Sequence, residues 1–282
     1  MGFAAPGDPI QTMLGERAKP EQVAAIRREY GLDKPPIVQY GRYLLGVAKG
    51  DFGKSYAYQG RPVAEMVMES FKTSMKIGAI AAVFSAVFGM AFGIIAAVNR
   101  NRWPDALSMF VAVLGVSVPG FVAAIALMYI FGVWLQILPA VGWGDPKNYV
   151  LPVIALGARS SALIARITRS AMLDVLGQDY VRTAWAKGLP GQRVVLKHAV
   201  KNAMIPVLTV LGTTFGTLIT GAYTIEFIFS IPGIGRISLD AIFQRDYPVI
   251  QASVLLVAAT FVLVNLVVDV LYGTVDPRIR YS

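Results

Sequence analysis

The sequence contains no cysteine and only one histidine, His198. The absence of cysteine excludes a disulfide framework and a thiolate metal site, and a single histidine excludes a histidine-rich metal cluster. Charged residues are also scarce, at 15% of the 282 residues, whereas roughly 25% is usual in soluble proteins. The composition therefore argues against a disulfide-stabilised secreted domain and against a soluble metalloenzyme.

The residues that are present are mostly apolar: 55% are hydrophobic, and the mean hydropathy is +0.57. A helix of about 20 apolar residues crosses the roughly 30 Å hydrocarbon core of a bilayer. We therefore predict an all-α membrane protein with five visible spans. These spans lie near residues 77–98, 106–135, 150–172, 203–225 and 249–271.

The net charge of +9 comes from 26 basic and 17 acidic residues. Basic residues in a protein of several spans mark its cytoplasmic loops, so we interpret the excess as membrane topology and not as nucleic-acid binding. The basic loop 173–202 and the tail 276–282 are then cytoplasmic. Residues 73–275 form the transmembrane domain, and residues 1–72 form a helical region on the extracytoplasmic side.

Residues 1–72 carry too many charges for a span, but two stretches within them have helical periodicity. Val23 and Ile26 share the apolar face of a short helix that Gly31 ends, and a second helix follows two consecutive prolines. The pattern GDFGKSY resembles the end of a phosphate-binding loop, but Ala48 stands where that loop requires glycine and no buried strand precedes it. We predict no nucleotide site there.

Proline and arginine interrupt two of the predicted spans. Pro119, followed by glycine, predicts a kink in the span 106–135. Arginines inside a membrane face a bundle interior or a water-filled path, or extend to the surface. Arg166 and Arg169 are close enough to the cytoplasmic end to reach it. For Arg159, about 10 Å deeper, a polar translocation path and a structural ion pair both stay open.

The stretch 178–206 is the most polar part of the apolar second half of the chain. Asp179 is predicted to cap a short helix, and Gly188 to end it in a left-handed conformation. A Leu-Pro-Gly turn then leads to a second helix, so the stretch requires a partner surface or a membrane surface. The second helix has a basic face made of Arg193, Lys197 and Lys201.

The sequence DYVRTAWAKGL, followed by HAVKNAMIP, resembles the cytoplasmic "EAA" loop of ABC importer permeases of the dipeptide, oligopeptide and nickel branch. In the general motif, Glu-Ala-Ala stands six residues before an invariant glycine. Here Arg182, Thr183 and Ala184 hold those positions ahead of Gly188, a replacement usual in the peptide branch. Other segments match in family order: APGDP, YGLDKPPIVQY, GDFGKSY, IPGIGR, RDYPVIQ and DPRIR.

The resemblance implies the transmembrane domain of a type I ABC importer, which usually has six spans. Members of this branch open with a transmembrane helix directly before the PGDP segment, whereas this sequence starts at Met1. We expect that a late start assignment or a truncation removed that span, which would carry residues 1–72 outward.

The implied function is uptake of short peptides by alternating access across the plasma membrane of a bacterium or archaeon. The implied partners are a second homologous permease, two cytoplasmic ATPase subunits that bind ATP and magnesium, an extracytoplasmic solute-binding protein, and membrane lipids. This chain would bind no cofactor itself. Within the same family, glutathione and nickel import are alternatives.

The short helix of the "EAA" loop would be the coupling helix that contacts an ATPase near its Q-loop, with Tyr180, Val181, Ala184 and Trp185 available to pack into a groove. Packing of this helix on its own bundle is the alternative. Pro119 and Arg159 are candidates for the translocation path. The coupling residues are Asp179, Tyr180, Val181, Arg182, Thr183, Ala184, Trp185, Ala186, Lys187 and Gly188.

Two other classes of protein stay open. A secondary transporter or channel would need acidic or other ion-coupling residues deep in its spans, whereas Glu226 and Asp269 are predicted at span ends. An intramembrane enzyme would need histidine, cysteine or paired carboxylates in the spans, which the sequence lacks. For the basic face of the second helix, contact with anionic lipid headgroups is favoured over contact with an ATPase.

Overall fold

The computed structural model describes residues 10, 20–29, 31–58, 60–220 and 222–275. The segments APGDP and DPRIR and the tail 276–282 lie outside the described residues. The described part of the chain is helical and contains no β-sheet, which confirms the all-α prediction.

The helices follow one another with short connections. In chain order they are α1 (Pro20–Glu29), α2 (Pro36–Ala48), α3 (Val63–Val98), α4 (Trp103–Ser117), α5 (Gly120–Leu127), α6 (Val150–Leu176), α7 (Asp179–Ala186), α8 (Lys201–Thr220), α9 (Tyr223–Ile228), α10 (Ile234–Phe243) and α11 (Tyr247–Val275). Shorter turns are π-helical at Met128–Trp134 and Val194–Val200, 3-10 helical at Pro146–Tyr149, and α-helical at Gly191–Arg193.

The chain divides into two compact units. The first comprises residues 1–74 and 232–259, and the second comprises residues 75–231 and 260–282.

In the first unit, the predicted helices near residues 22–31 and 37–48 are present as α1 and α2. Gly31 follows α1 with φ +67°, as its role in ending the helix requires. No residue of α2 is buried within the chain, and the side chain of Ile37 is 75% exposed. The apolar side chains of α2 are therefore not covered by the described residues.

The core of the first unit joins the start of α3 to α10 and to the start of α11. Val63 and Val67 of α3 cluster with Ile234 of α10 and Val249 of α11. The backbone N–H of Ile234 donates a hydrogen bond to the Ser74 hydroxyl, at 2.8 Å. Apolar burial and a capped helix end therefore hold these three helices together.

A buried carboxylate joins the segments GDFGKSY and RDYPVIQ. Asp246 is 1% exposed and accepts a hydrogen bond from the Ser55 hydroxyl. It also accepts from the backbone N–H groups of Tyr56, at 3.1 Å, and Ala57, at 3.2 Å. Three donors compensate the desolvation of one carboxylate. The serine of the loop that resembles a phosphate-binding loop therefore binds an internal carboxylate.

The second unit is built around α6, which packs against α4, α5 and α8. Its contact with α3 is close because glycines lie between the two helices. A Cβ atom built on Gly89 would lie 2.7 Å from the Ser161 carbonyl oxygen, and one built on Gly93 would lie 2.6 Å from the Ala165 carbonyl oxygen. Only glycine permits this backbone approach.

The kink predicted at Pro119 is a complete break. α4 ends at Ser117, α5 begins at Gly120, and the two arms differ in direction by 106°. Val118 before the proline is extended, with φ −84° and ψ 124°, because the proline ring excludes the helical conformation from the preceding residue. The interruption predicted at Pro119 is therefore present, but it separates two helices instead of bending one continuous helix.

Among the described residues, three helices are long and apolar enough to cross a membrane: Val63–Val98, Pro146–Leu176 and Tyr247–Val268. Two bent pairs raise the number to five if each pair is one span: Trp103–Ser117 with Gly120–Trp134, and Gly191–Met204 with Pro206–Leu218. The prediction of five spans and the assignment of each loop to one side of the membrane stay predictions.

The span predicted near residues 203–225 differs at its end. The helix α8 ends at Thr220 and a short helix, α9, begins at Tyr223. Glu226, predicted to close this span at its outer side, lies in α9 and is completely buried within the chain. Its side of the membrane stays a prediction, and its burial depends on tertiary packing that the sequence pattern does not show.

Substitution of Gly93 by alanine is expected to destabilise the protein. The new methyl group would meet the Ala165 carbonyl and the Thr168 Cβ atom at 2.6 and 2.5 Å, so two helix backbones must move apart. We expect a loss of about 1–3 kcal/mol, measured as a lower midpoint of thermal unfolding in detergent. Gly41→Ala is the control because a Cβ there meets nothing within 4 Å. Equal midpoints for the two variants would contradict the close packing.

Substitution of Asp246 by asparagine is expected to loosen the first unit. The amide would place N–H donors opposite the donors of Ser55, Tyr56 and Ala57, and about 2 kcal/mol of stability would be lost. Limited proteolysis of the intact chain should show faster cleavage between residues 51 and 58. Asp240→Asn is the control, since Asp240 is partly exposed and faces Arg236 at 3.9 Å. Wild-type cleavage in Asp246→Asn would refute the anchoring role.

Candidate functional site

The helix α7 begins and ends almost as the sequence predicts. Gly188 has φ +72°, which confirms the left-handed end. Asp179 is not the cap: it is the first helical residue, and the preceding Gln178 is extended without a capping hydrogen bond from its side chain. The Asp179 carboxylate instead lies 3.8 Å from the Arg182 guanidinium, still favourably placed at the positive end of the helix.

One face of α7 packs on the chain itself. Val181 is completely buried and Ala184 is 6% exposed, and both cluster with Val194 after the turn. These two side chains are therefore already covered, contrary to the expectation that they are available to a partner. The exposed residues of the predicted coupling segment are Asp179, Tyr180, Arg182, Thr183, Trp185, Ala186, Lys187 and Gly188.

The two aromatic side chains of α7 are exposed but held in place. Tyr180 and Trp185 are 43% and 49% exposed. The Asn202 amide donates a hydrogen bond to the Tyr180 hydroxyl at 2.8 Å. A Cβ atom on Gly191 would lie 3.1 Å from the Trp185 ring, so the ring covers that glycine. Each aromatic side chain thus combines a fixed position with a surface that a partner can contact.

The basic segment after the turn is exposed but not a regular α-helix. Arg193, Lys197 and Lys201 all face away from the buried parts of the chain. Residues Val194–Val200 form a π-helical turn, so the second helix is not the regular α-helix that the sequence predicts. The basic face made of Arg193, Lys197 and Lys201 stays a prediction, and all three residues are exposed.

The arginines of α6 have different surroundings. Arg169 forms a bidentate pair with Asp105 of α4: its Nε and Nη2 atoms lie 2.6 and 2.7 Å from the two carboxylate oxygens. Asp105 is 5% exposed and also accepts from the Asn101 backbone N–H, at 2.9 Å. The prediction that Arg169 extends to the membrane surface is therefore wrong, because its guanidinium is held by Asp105. Arg166 is exposed.

Arg159 lines a cavity of about 430 Å³ between α3, α4, α5 and α6. Its side chain makes neither an ion pair nor a hydrogen bond with any residue that the structure describes. Of its two sequence interpretations, the structural ion pair is therefore absent from the described part. Pro119 lies at the helix break, and its neighbours Val118 and Gly120 line the same cavity.

The sequence reasoning missed the aromatic wall of this cavity. Phe84, Phe88 and Phe92 of α3 line it, with adjacent ring centroids 4.6 and 6.4 Å apart. Their spacing of four residues places them on one helix face. That spacing is visible in the sequence and could have indicated an aromatic surface, although not the cavity that it borders.

Residues 89–281 match the model of the family described as "Binding-protein-dependent transport system inner membrane component". The chain belongs to this family. Residues 1–91 match the model of the N-terminal part of such membrane components. The permease family expected from the "EAA" loop is thereby confirmed, and the protein is a multi-pass component of the plasma membrane.

The permease is similar over almost its whole length to proteins named glutathione transport system permease protein GsiC. It is 48% identical over 277 residues to the protein of Salmonella paratyphi A and 46% identical to that of Escherichia coli K12. Each match covers 98% of this chain and 90% of the relative.

Solved structures establish the fold of the permease. The inward-facing MetNI methionine ABC transporter matches with a TM-score of 0.64 at 16% identity, covering 75% of this chain and 96% of that chain. An amino acid ABC transporter crystallised with histidines matches with a TM-score of 0.55 at 16% identity, covering 76% and 94%. The permease has the transmembrane fold of type I ABC importers, as predicted.

Proposed function

We propose that the permease imports a short peptide, with glutathione as the first candidate, and that ATPase subunits drive this import through α7. The chain is a permease subunit of a binding-protein-dependent importer. The proposal of a peptide rests on the motifs of the peptide branch. The proposal of glutathione, which is itself a tripeptide, rests on the names of relatives that are 46–48% identical.

The observation that carries the coupling role is the arrangement of α7. Val181 and Ala184 pack the helix against the end of α6 and against the segment after the turn. A displacement of α7 is therefore transmitted to the transmembrane helices. Tyr180 and Trp185 flank that buried face and stay 43% and 49% exposed, and large aromatic side chains are the commonest source of binding energy in interfaces. We assign these two exposed aromatic surfaces to contact with an ATPase.

The remaining partners follow from the same importer model. A second homologous permease completes the path on which Pro119 and Arg159 lie. A solute-binding protein docks on residues 1–72 and on residues 231–248. Arg193, Lys197 and Lys201 contact anionic lipid headgroups. ATP and magnesium bind to the two ATPase subunits, and this chain holds neither.

Uptake by the reconstituted complex tests the transport function. Proteoliposomes containing both permeases and both ATPases should accumulate radiolabelled glutathione only with ATP and the binding protein. Dissipating the ion gradients with ionophores should change nothing. Accumulation that needs an ion gradient but no ATPase would instead identify a secondary transporter. Accumulation of dialanine in place of glutathione would identify a dipeptide, and not glutathione, as the substrate.

Substitution of Trp185 by alanine tests the coupling face. Removal of a half-exposed aromatic side chain at an interface should lower solute-stimulated ATP hydrolysis about tenfold or more, and should reduce co-purification of the ATPases. Leu196→Ala is the control, because Leu196 is 65% exposed on the neighbouring segment that we assign to lipid. Ala184 is unsuitable for this test because it is buried within the chain. Equal ATPase activity in both variants would refute the assignment.

A further inference from the structure

The charge of Arg159 has no counter-ion within the described chain. Arg159 lies nine residues after the start of α6 and 17 before its end, or about 14 Å and about 26 Å along the helix axis. It is therefore far from both ends of a helix long enough to cross a membrane. A guanidinium at such a depth is costly unless water or an anion accompanies it.

Two arginines of the same helix, α6, differ in whether a carboxylate of the chain accompanies them. Arg169, ten residues later, meets a nearly buried carboxylate with two short hydrogen bonds. Arg159 makes no such contact among the described residues, is exposed, and is one of the residues that line the cavity. Arg169 is thus paired within the chain, whereas Arg159 is available to an anion from outside the chain.

The cavity has the size and the walls of a small-molecule site. Its volume of about 430 Å³ falls within the range of roughly 300–1,000 Å³ that such sites span, which are mostly apolar with few polar groups. Phe84, Phe88 and Phe92 form an apolar wall, and Arg159 is the charged residue among those that line the cavity. This combination suits a molecule that carries a carboxylate and an apolar portion.

We propose that Arg159 binds a carboxylate of the transported solute inside this cavity, so that the permease itself selects anionic peptide-like solutes. A planar guanidinium donates two parallel hydrogen bonds to one carboxylate, which gives orientation as well as affinity. The break at Pro119 brings non-helical backbone to the same cavity. This inference rests on the proposed import function.

Two other anions could meet Arg159: a phospholipid phosphate or a carboxylate of the second permease. The long apolar wall would suit an acyl chain. The solute is favoured because the cavity lies among four helices of one chain, at the level of a broken helix, and discontinuous helices in transporters border substrate sites. The experiment separates the three anions.

The test uses the complete permease–ATPase complex in nanodiscs of phosphatidylcholine, without the binding protein, so that only binding to the membrane domain is measured. The probe is radiolabelled glutathione, or the dipeptide Ala-Phe if that is what the wild-type complex transports. Its carboxylate-blocked form, glutathione diethyl ester or Ala-Phe amide, is the second ligand. The binding affinities of the free and blocked forms are first compared on the wild-type complex.

We expect the wild-type complex to bind the free acid at least about tenfold more tightly than the blocked form. Arg159→Gln should lose this preference, and Arg159→Lys should retain part of it, because an ammonium keeps the charge but not the paired geometry. Arg166→Gln is the matched control: it lies two turns along the same helix, is exposed and does not line the cavity. It should bind like the wild type.

Several results would overturn the proposal. One is an unchanged preference in Arg159→Gln, and another is no saturable binding of the transported solute to the wild-type complex. A third is loss of co-purified phosphatidylglycerol from the detergent-extracted Arg159→Gln complex, detected by native mass spectrometry before nanodisc assembly and with solute binding intact, which would identify a lipid site. Dissociation of the two permeases in that variant would identify an intersubunit pair. If the wild-type complex transports neither probe, the proposed substrate class fails instead.

Discussion

Close backbone contact between α3 and α6 is the constraint on which the second unit depends. At Gly89 and Gly93 the two helices approach so closely that even one methyl group would collide with a carbonyl oxygen. Within a membrane there is little hydrophobic gain from pairing two apolar helices, so packing of small residues supplies the association. This contact holds α6 firmly, and α6 in turn carries Arg159, Arg169 and the polypeptide that leads into α7.

Whether a polar side chain is paired within the chain depends on the residues that pack around it. The buried Asp105 carboxylate pairs with Arg169, and the buried Asp246 carboxylate accepts a hydrogen bond from Ser55. Such contacts give specificity at the cost of desolvation. Arg159 has no such neighbour among the described residues. The role proposed for Arg159 rests on this contrast.

Much of the local structure could be predicted from the sequence. The helix bounded by Gly31 and the end of α7 at Gly188 depend on turn residues and periodicity, which act within a few residues. The predicted cap at Asp179 failed by one residue. The kink at Pro119 proved to be a break, because the sequence shows where a helix is weak but not the direction in which the chain continues.

The sequence by itself determined that this protein is a helical membrane protein, and its motifs identified the permease family, because hydropathy and short motifs are properties of contiguous residues. Tertiary structure decided which groups meet. Asp105 and Arg169 are separated by 64 positions, and Ser55 and Asp246 by 191. It also decided that Val181 and Ala184 face inward and leave Trp185 outward. No local pattern contains this information, since each contact depends on how distant helices pack.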